Sequence, residues 1–279
     1  MVYVIAEIGN NHEGKLELAM KSVRAAKESG ADAVKLQAII PHHLVNQKIR
    51  AERVKSLKKL CLSLDEIEKV YKFSKTLKLD FGVSFFDIES CLKFKHFDFA
   101  KVASSDCDNL QLLETVNRNY KNVFISTGML DNNGVAQLKK YLTSSKNNVT
   151  VMHCISKYPT AIGQANLNFI DLLKSNFSKV GYSDHTDIIE VSLMALAKGC
   201  CTFEKHFTLD KNMTGIRDHK LSSNPKEFRD YCNKLKTFDK ALGSVCFNNR
   251  PDLADDTYLE SKQSYYLRRI VSRGERISI

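Results

Sequence analysis

The sequence predicts an α/β protein folded as a (β/α)8 barrel, and three observations carry that expectation. Eight short runs rich in β-branched and aromatic residues recur along the chain. Amphipathic helical patterns fall between most of them. No G-x-G-x-x-G follows the first run, as an open dinucleotide-binding sheet would require. Strands alternating with helices call for a parallel sheet, and eight such units suit a closed barrel better than an open one.

The first strand is VYVIAEIG (2–9), followed by AVKLQ (33–37), DFGVSF (80–85), FAKVAS (99–104) and VFIST (123–127). VTVMHCIS (149–156), KVGYSD (179–184) and CTFEKHF (201–207) complete the set. Between them, KLELAMKSVRAAKESG repeats its apolar residues at helical spacing and stops at Gly30. DEIEKVYKFSKTLK starts from an N-cap at Ser63 or Asp65. NNGVAQLKKYLTSS, NLNFIDLLKSNF and TDIIEVSLMALAKG follow the same rule, and a last helix, NPKEFRDYCNKLKTFDKAL, lies beyond the eighth strand. From Ala38 to about Leu62 the chain reads as loop and helix with many basic residues, placed to fold over the barrel mouth.

With 279 residues, 43% of them hydrophobic, the chain can bury a large core. No run nears the roughly 18 apolar residues of a membrane span. The opening MVYVIAEIGNNHEG has neither a basic n-region nor a cleavage pattern, and the eight cysteines form no CxxC pair. A cytoplasmic protein with reduced thiols is expected. A formal charge of +10 invites a nucleic-acid partner, but lysines and acids are interleaved, as in LDEIEKVYKFSKTLK. That pattern is a solvated surface; neither nucleic acid nor membrane is an expected partner, and a positive field would favour anionic small substrates.

Barrel enzymes carry their chemistry at the C-terminal ends of the strands. Here those ends hold Glu7, Lys35 with Gln37, Ser84, Ser104 with Asp106, and Ser126 with Thr127. The last three hold Ser156 with Tyr158, Ser183 with His185, and Glu204 with His206. One buried polar residue can be a satisfied core group; eight converging ends are hard to assign to packing. Thr202, Glu204 and His206 share one face of the last strand, with Phe203 and Lys205 on the other.

Lys35 interrupts the apolar AVKLQ, and a buried ammonium must be paired. An ion pair with Glu7 would suffice, but the company of Ser104, Ser126 and Ser183 favours an anion site. Lys101 has opposite parity to Ser104, so strict alternation sends it to the helix side unless a bulge intervenes. His185 and His206 end adjacent strands and could share a divalent ion or be structural. His153 reads as a core histidine; His12, in NNHEG, is substrate-facing or a turn residue.

Seven motifs then occur in order: IAEIGNNHEG, AAKESGADAVKLQ, KVASSDCDN, ISTGM, YPT, GYSDHT and FEKHFTLDKNM. Together they resemble the sialic acid synthase family, over residues 3–270. The resemblance implies a TIM barrel that condenses phosphoenolpyruvate with an open-chain N-acylated amino sugar, such as N-acetylmannosamine, and releases phosphate. It implies a divalent metal, with Mn2+ ahead of Mg2+ and Co2+, held by His185 and His206. Lys35, Ser104, Ser126, Ser156 and Ser183 would fall at phosphoenolpyruvate, and Glu7, Gln37, Tyr158 and Asp218 would face the sugar. Glu204 would handle a proton or orient the attacking water, which makes Glu7, Lys35, Glu204 and Asp218 the expected catalytic set. Legionaminic or pseudaminic acid synthesis is the alternative among enzymes, and a sugar-binding barrel without turnover the alternative outside them.

Ser156 replaces an asparagine often found in the family, and TGIRDH replaces Pro-Gly-Pro-Asp-His while keeping Asp218 and His219. The barrel is expected over 1–245. Residues 246–279 are expected to be a linker remnant of the family's small antifreeze-like domain, with its first strand in SYYLRRIVSRGERISI. Without most of that domain, one wall of the sugar site would be missing. The resemblance also implies a homodimer.

Overall fold

Eight parallel strands pair in chain order and close into a barrel: β1 (Tyr3–Gly9), β2 (Ala33–Ala38), β3 (Asp80–Phe85), β4 (Phe99–Val102), β5 (Asn122–Ser126), β6 (Asn148–His153), β7 (Val180–Asp184) and β8 (Thr202–His206). The last strand pairs back onto the first, with Glu7 opposite His206. This computed structural model describes residues 2–143, 147–243, 260–263 and 265–276. They fall into two units, Met1–Leu242 and Gly243–Ile279.

Helices wrap the barrel between the strands: α1 (Leu16–Glu28), α2 (Pro41–Leu44), α3 (Ala51–Leu60), α4 (Leu64–Thr76), α5 (Ile88–Lys93), α6 (Leu110–Asn119), α7 (Asn132–Leu142), α8 (Phe169–Asn176), α9 (Ile189–Ala197) and α10 (Pro225–Leu242). The start of α4 is settled at Ser63: its hydroxyl caps the Glu66 N–H while the Glu66 carboxylate accepts from the Ser63 backbone. The basic stretch after β2 forms α2 and α3. Two helices, α5 and α6, carry no expectation from the pattern; α5 has only six residues, whereas α6, with ten, buries Leu112, Leu113 and Val116 at helical spacing. Among the described residues no helix is long and apolar enough to cross a membrane.

Inside the barrel the side chains form layers. The lower layer is apolar and built from Ile5, Ala33, Phe99, Phe124 and Met152. Gly82 makes room for it, because a Cβ there would lie 2.3 Å from the Phe99 ring. Outward residues such as Val34, Val83, Ala100 and Phe203 join the core beneath the helices. The upper layer, two residues further along each strand, is polar.

Two strands end two or more residues before their expected ends. β4 stops at Val102 because Ala103 opens a 3-10 turn, Ser104–Asp106, closed by the Asp106 N–H on the Ala103 carbonyl at 3.0 Å. β6 stops at His153, well before Ser156. In the second unit, the strand expected in SYYLRRIVSRGERISI is not formed among the described residues. They hold instead a turn in which the Glu275 N–H reaches the Ser272 carbonyl at 3.0 Å and Arg269 pairs with Glu275. A lone strand without a paired neighbour has no ladder to stabilise it. The expected boundary at 245/246 lies outside the described residues.

Candidate active site

Directly above the apolar layer, the strand ends hold a buried cluster of two lysines and two carboxylates. Lys35 of β2 sits 2.6 Å from Glu7 Oε2 on β1 and 3.8 Å from Glu204 Oε2 on β8. It also donates to Ser84 Oγ on β3 at 2.6 Å. Lys101 of β4 approaches Glu204 Oε1 from the opposite side at 3.4 Å, and the Ser183 hydroxyl donates to the same oxygen at 3.0 Å. All these residues are at most 5% exposed, so each charge depends on its neighbours.

The two carboxyls part company electrically. Burial pushes Glu7 up to about 7, with Lys35 opposing and the Glu204 charge reinforcing. Burial would raise Glu204 as well, but Lys101 and Lys35, helped by the Ser183 hydroxyl, hold it at about 2. Near neutral pH the cluster therefore has two ammonium groups, one fixed carboxylate and one carboxyl poised to exchange a proton. With Glu7 protonated, it carries a surplus of positive charge.

A cavity of about 260 Å³ opens over this cluster, lined also by Gln37, Phe86, Ser104, Ser126, Cys154, Tyr158, His185, His206 and Asp218. Gln37 donates to Glu7 Oε1 at 3.3 Å and accepts from the Asn10 amide at 3.0 Å. Ser104 and Ser156 share a hydrogen bond of 2.8 Å. Gly128 makes that corner possible: a Cβ there would fall 2.7 Å from Ser156 Oγ and 2.6 Å from Cys154 Sγ. Asp218 comes from the 3-10 turn Arg217–Leu221, and burial raises its carboxyl against the pull of Arg217.

His185 and His206 stand side by side, ring centroids 5.6 Å apart, with the Tyr158 ring 4.1 Å from the first and 5.6 Å from the second. Burial pushes His185 down to about 4 and, with His185 beside it, drives His206 well below its ordinary value, so both rings are neutral at pH 7. His185 Nδ1 lies 2.7 Å from the Ile155 carbonyl. That partner places the proton on Nδ1 and leaves Nε2 as a lone pair. His206 Nδ1 and Glu204 Oε2 are buried without a hydrogen-bond partner. Neutral imidazoles with unsatisfied nitrogen suit a first-row divalent ion. Among the described residues no three His, Cys, Asp or Glu side chains are grouped to enclose one. The fit is thus to an open site of two histidines, completed by water or a ligand.

The residues expected at the strand ends lie in the cavity wall except Asp106, Thr127 and Ser156. Asp106 accepts from the Ser105 hydroxyl, Thr127 donates to the Met152 carbonyl, and Ser156 reaches the wall through its bond to Ser104. Lys101 corrects the sequence expectation: it points inward. The parity count ran through Ser104, but Ser104 has already left the strand; Phe99, two residues before Lys101, faces the barrel interior and was the right reference. Ser84 was visible as a strand end, but its bond to Lys35 was not. His153 is buried against Phe169 and Tyr182 and bonded to the Ala165 carbonyl at 2.8 Å. His12 is a buried turn residue whose Nδ1 accepts the Gly14 N–H at 3.1 Å.

A second cavity, about 410 Å³, lies at the opposite end of the barrel among Tyr3, Asp80, Phe99, Asn122, Phe124 and Asn148. Its polar groups bond one another, as in Tyr3 to Asp80 at 2.8 Å and Asn148 to Asn122 at 3.0 Å. The buried lysine–carboxylate cluster and the paired histidines lie instead at the C-terminal mouth.

Known proteins place this arrangement. The chain is 36% identical to an uncharacterized protein of Methanocaldococcus jannaschii, over 99% of this chain and 82% of the relative. It is 34% identical to N,N'-diacetyllegionaminic acid synthase of Campylobacter jejuni, over 86% of this chain and 77% of that enzyme. Its fold matches a crystal structure of N-acetylneuraminic acid (sialic acid) synthetase from Leptospira borgpetersenii in complex with citrate. That match has a TM-score of 0.86 and 30% identity, and covers 93% of this chain and 92% of the other. The NeuB family model matches residues 22–246. With this match spanning most of the barrel, the chain belongs to the NeuB family.

Proposed function

We propose that the protein is a nonulosonate synthase that condenses phosphoenolpyruvate with an open-chain N-acylated amino sugar and releases phosphate. The observation that carries this reading is the joining, in one cavity, of a cation-rich anion site to a pair of neutral, adjacent histidines. Lys35 and Lys101, with the hydroxyls of Ser104, Ser126 and Ser183, suit the phosphate and carboxylate of phosphoenolpyruvate. A divalent ion on His185 and His206, Mn2+ by the family resemblance, would supply Lewis-acid polarisation of the sugar carbonyl.

The chain's own groups divide the remaining work. C3 of phosphoenolpyruvate bonds to the sugar carbonyl carbon, whose oxygen gains a proton; Glu7, at about 7, is matched to give it. Water adds at C2 and gives one proton back to Glu7; the C2–O bond to phosphate then breaks as C2 becomes a ketone, its hydroxyl proton leaving with the phosphate. Glu204, held ionised at about 2, is a weak base but a fixed acceptor that can orient this water. Gln37, Tyr158 and Asp218, on the outer wall, suit the hydroxyls and amide of the sugar. The relative named for N,N'-diacetyllegionaminic acid supports a diacetamido sugar as the second acceptor to test.

The test is phosphate release from phosphoenolpyruvate with Mn2+, with N-acetylmannosamine or a 2,4-diacetamido hexose. Sugar-dependent release, lost with chelator and in His206→Ala, supports the reading. Phosphoenolpyruvate binding without release for any acceptor would instead support a barrel that binds without turnover.

A further inference from the structure

Behind the two histidines, facing the helix layer, lies a buried ionic network that borders a cavity of about 180 Å³ lined also by Asp187, Lys211, Glu227 and Asp230. Lys205 of β8 donates to Asp184 Oδ2 of β7 at 2.7 Å and to the Thr186 carbonyl. The Tyr231 ring of α10 lies 5.7 Å from its ammonium. Asp184 is fully satisfied: Oδ1 accepts the Thr186 N–H at 2.8 Å and its hydroxyl at 2.7 Å. Oδ2 also accepts the Ser192 hydroxyl at 2.9 Å, which is 3.0 Å from the Tyr231 hydroxyl. Asp184 is 1% exposed and Lys205 6%.

The register gives this pair its significance. Asp184 and Lys205 are directly opposite each other and form the last rung between β7 and β8. His185 and His206 come one residue later, turned to the barrel interior. No β7–β8 rung joins the histidines themselves. His206 is held by its pairing with Glu7 of β1, His185 by the Thr160 N–H and the Ile155 carbonyl, and the rung one residue earlier is what ties their two strands to each other. A buried ion pair is an expensive way to join two strands, because apolar residues of similar volume are often neutral or more stable there. What the ionic pair adds is direction: a short bond of fixed geometry, oriented further by Thr186 and Ser192.

We propose that the Asp184–Lys205 pair is a positioning device that sets His185 and His206 at the separation a shared divalent ion requires. This rests on the two-histidine metal reading above. The pair touches neither the ion nor substrate; it acts through the strands.

The test is the full chain with Asp184→Leu and Lys205→Met together, so that no buried charge is left alone. Three quantities are measured: the thermal midpoint without metal, the Mn2+ dissociation constant, and the visible absorption of the Co2+-loaded protein. The expected result is a midpoint equal to or above that of the unaltered protein, with Mn2+ binding weakened about 10- to 100-fold and a changed Co2+ band. Unaltered Mn2+ affinity and an unaltered Co2+ band would overturn the proposal, leaving the pair as strand packing alone. Should the double variant fail to fold, Ser192→Ala removes one Asp184 bond at little change in volume. A loss of Mn2+ affinity of a few-fold at an unchanged midpoint then supports the proposal, and unchanged affinity overturns it. Absence of Mn2+ binding to the unaltered protein sinks the metal reading and this assignment together, whereas binding indifferent to both variants sinks the assignment alone.

Discussion

Replacing Lys35 by methionine would strand Glu7 and remove one of the two cations facing Glu204. Leaving a buried charge unpaired costs about 3–5 kcal/mol. Glu7 can shed part of that by taking up a proton, so the loss in urea unfolding free energy should be smaller at pH 6 than at pH 8. Lys101→Met keeps Lys35 between the carboxylates; it should fold, yet lower kcat/KM for phosphoenolpyruvate by about a hundredfold, the scale of one lost charge stabiliser. A third expectation concerns His12, which burial holds at about 4 against an ordinary 6.5. The folded state therefore binds fewer protons there than the unfolded state. Stability is fully present above pH 6.5 and is lost as pH falls toward 4, by up to about 3 kcal/mol. Urea midpoints between pH 7 and 4 measure this, and His12→Asn, which keeps an acceptor for Gly14, should flatten the curve. At this scale the sequence showed which residue types gather at the strand ends. It could not show that one ammonium, Lys35, bridges three strands, because that contact joins residues far apart in the chain.

Among the elements, the helix caps and the tight corners are the points of leverage. Ser63→Ala removes the reciprocal cap of α4 and should cost about 1 kcal/mol, read as a lower urea midpoint with the slope unchanged. Gly128→Ala should act differently. Its methyl would press on Cys154 and Ser156, so the Ser104–Ser156 corner must shift. The expected result is a raised KM for phosphoenolpyruvate with about 1–3 kcal/mol of lost stability. Strand existence was legible because each run alternates or is continuously apolar between turn residues. Strand ends were not, since the 3-10 turn at Ser104 is a matter of local hydrogen bonding that alternation does not encode. α5 escaped for the converse reason, since six residues leave little period to detect, whereas the Leu112, Leu113 and Val116 spacing of α6 was there to be read.

For the whole molecule, the order of eight strands and the closed sheet followed from repeated units alone, while the second unit had no such repetition to guide its reading. Ligand linkage gives a further expectation at this scale. Mn2+ at a hundred times its dissociation constant should add about 2.7 kcal/mol to folding, a rise of several degrees in thermal midpoint that His206→Ala should abolish. The apolar layer of Ile5, Ala33, Phe99, Phe124 and Met152 has a kinetic meaning beyond packing. It closes the floor beneath Lys35 and Lys101, so that in the proposed reaction both substrates would enter from the strand-end side. Molecules must then queue. In the proposed reaction, phosphoenolpyruvate at the floor would have to enter before the sugar above it, and a sugar arriving first would bar the way. Steady-state rates should accordingly show inhibition by excess sugar at low phosphoenolpyruvate, relieved as phosphoenolpyruvate is raised.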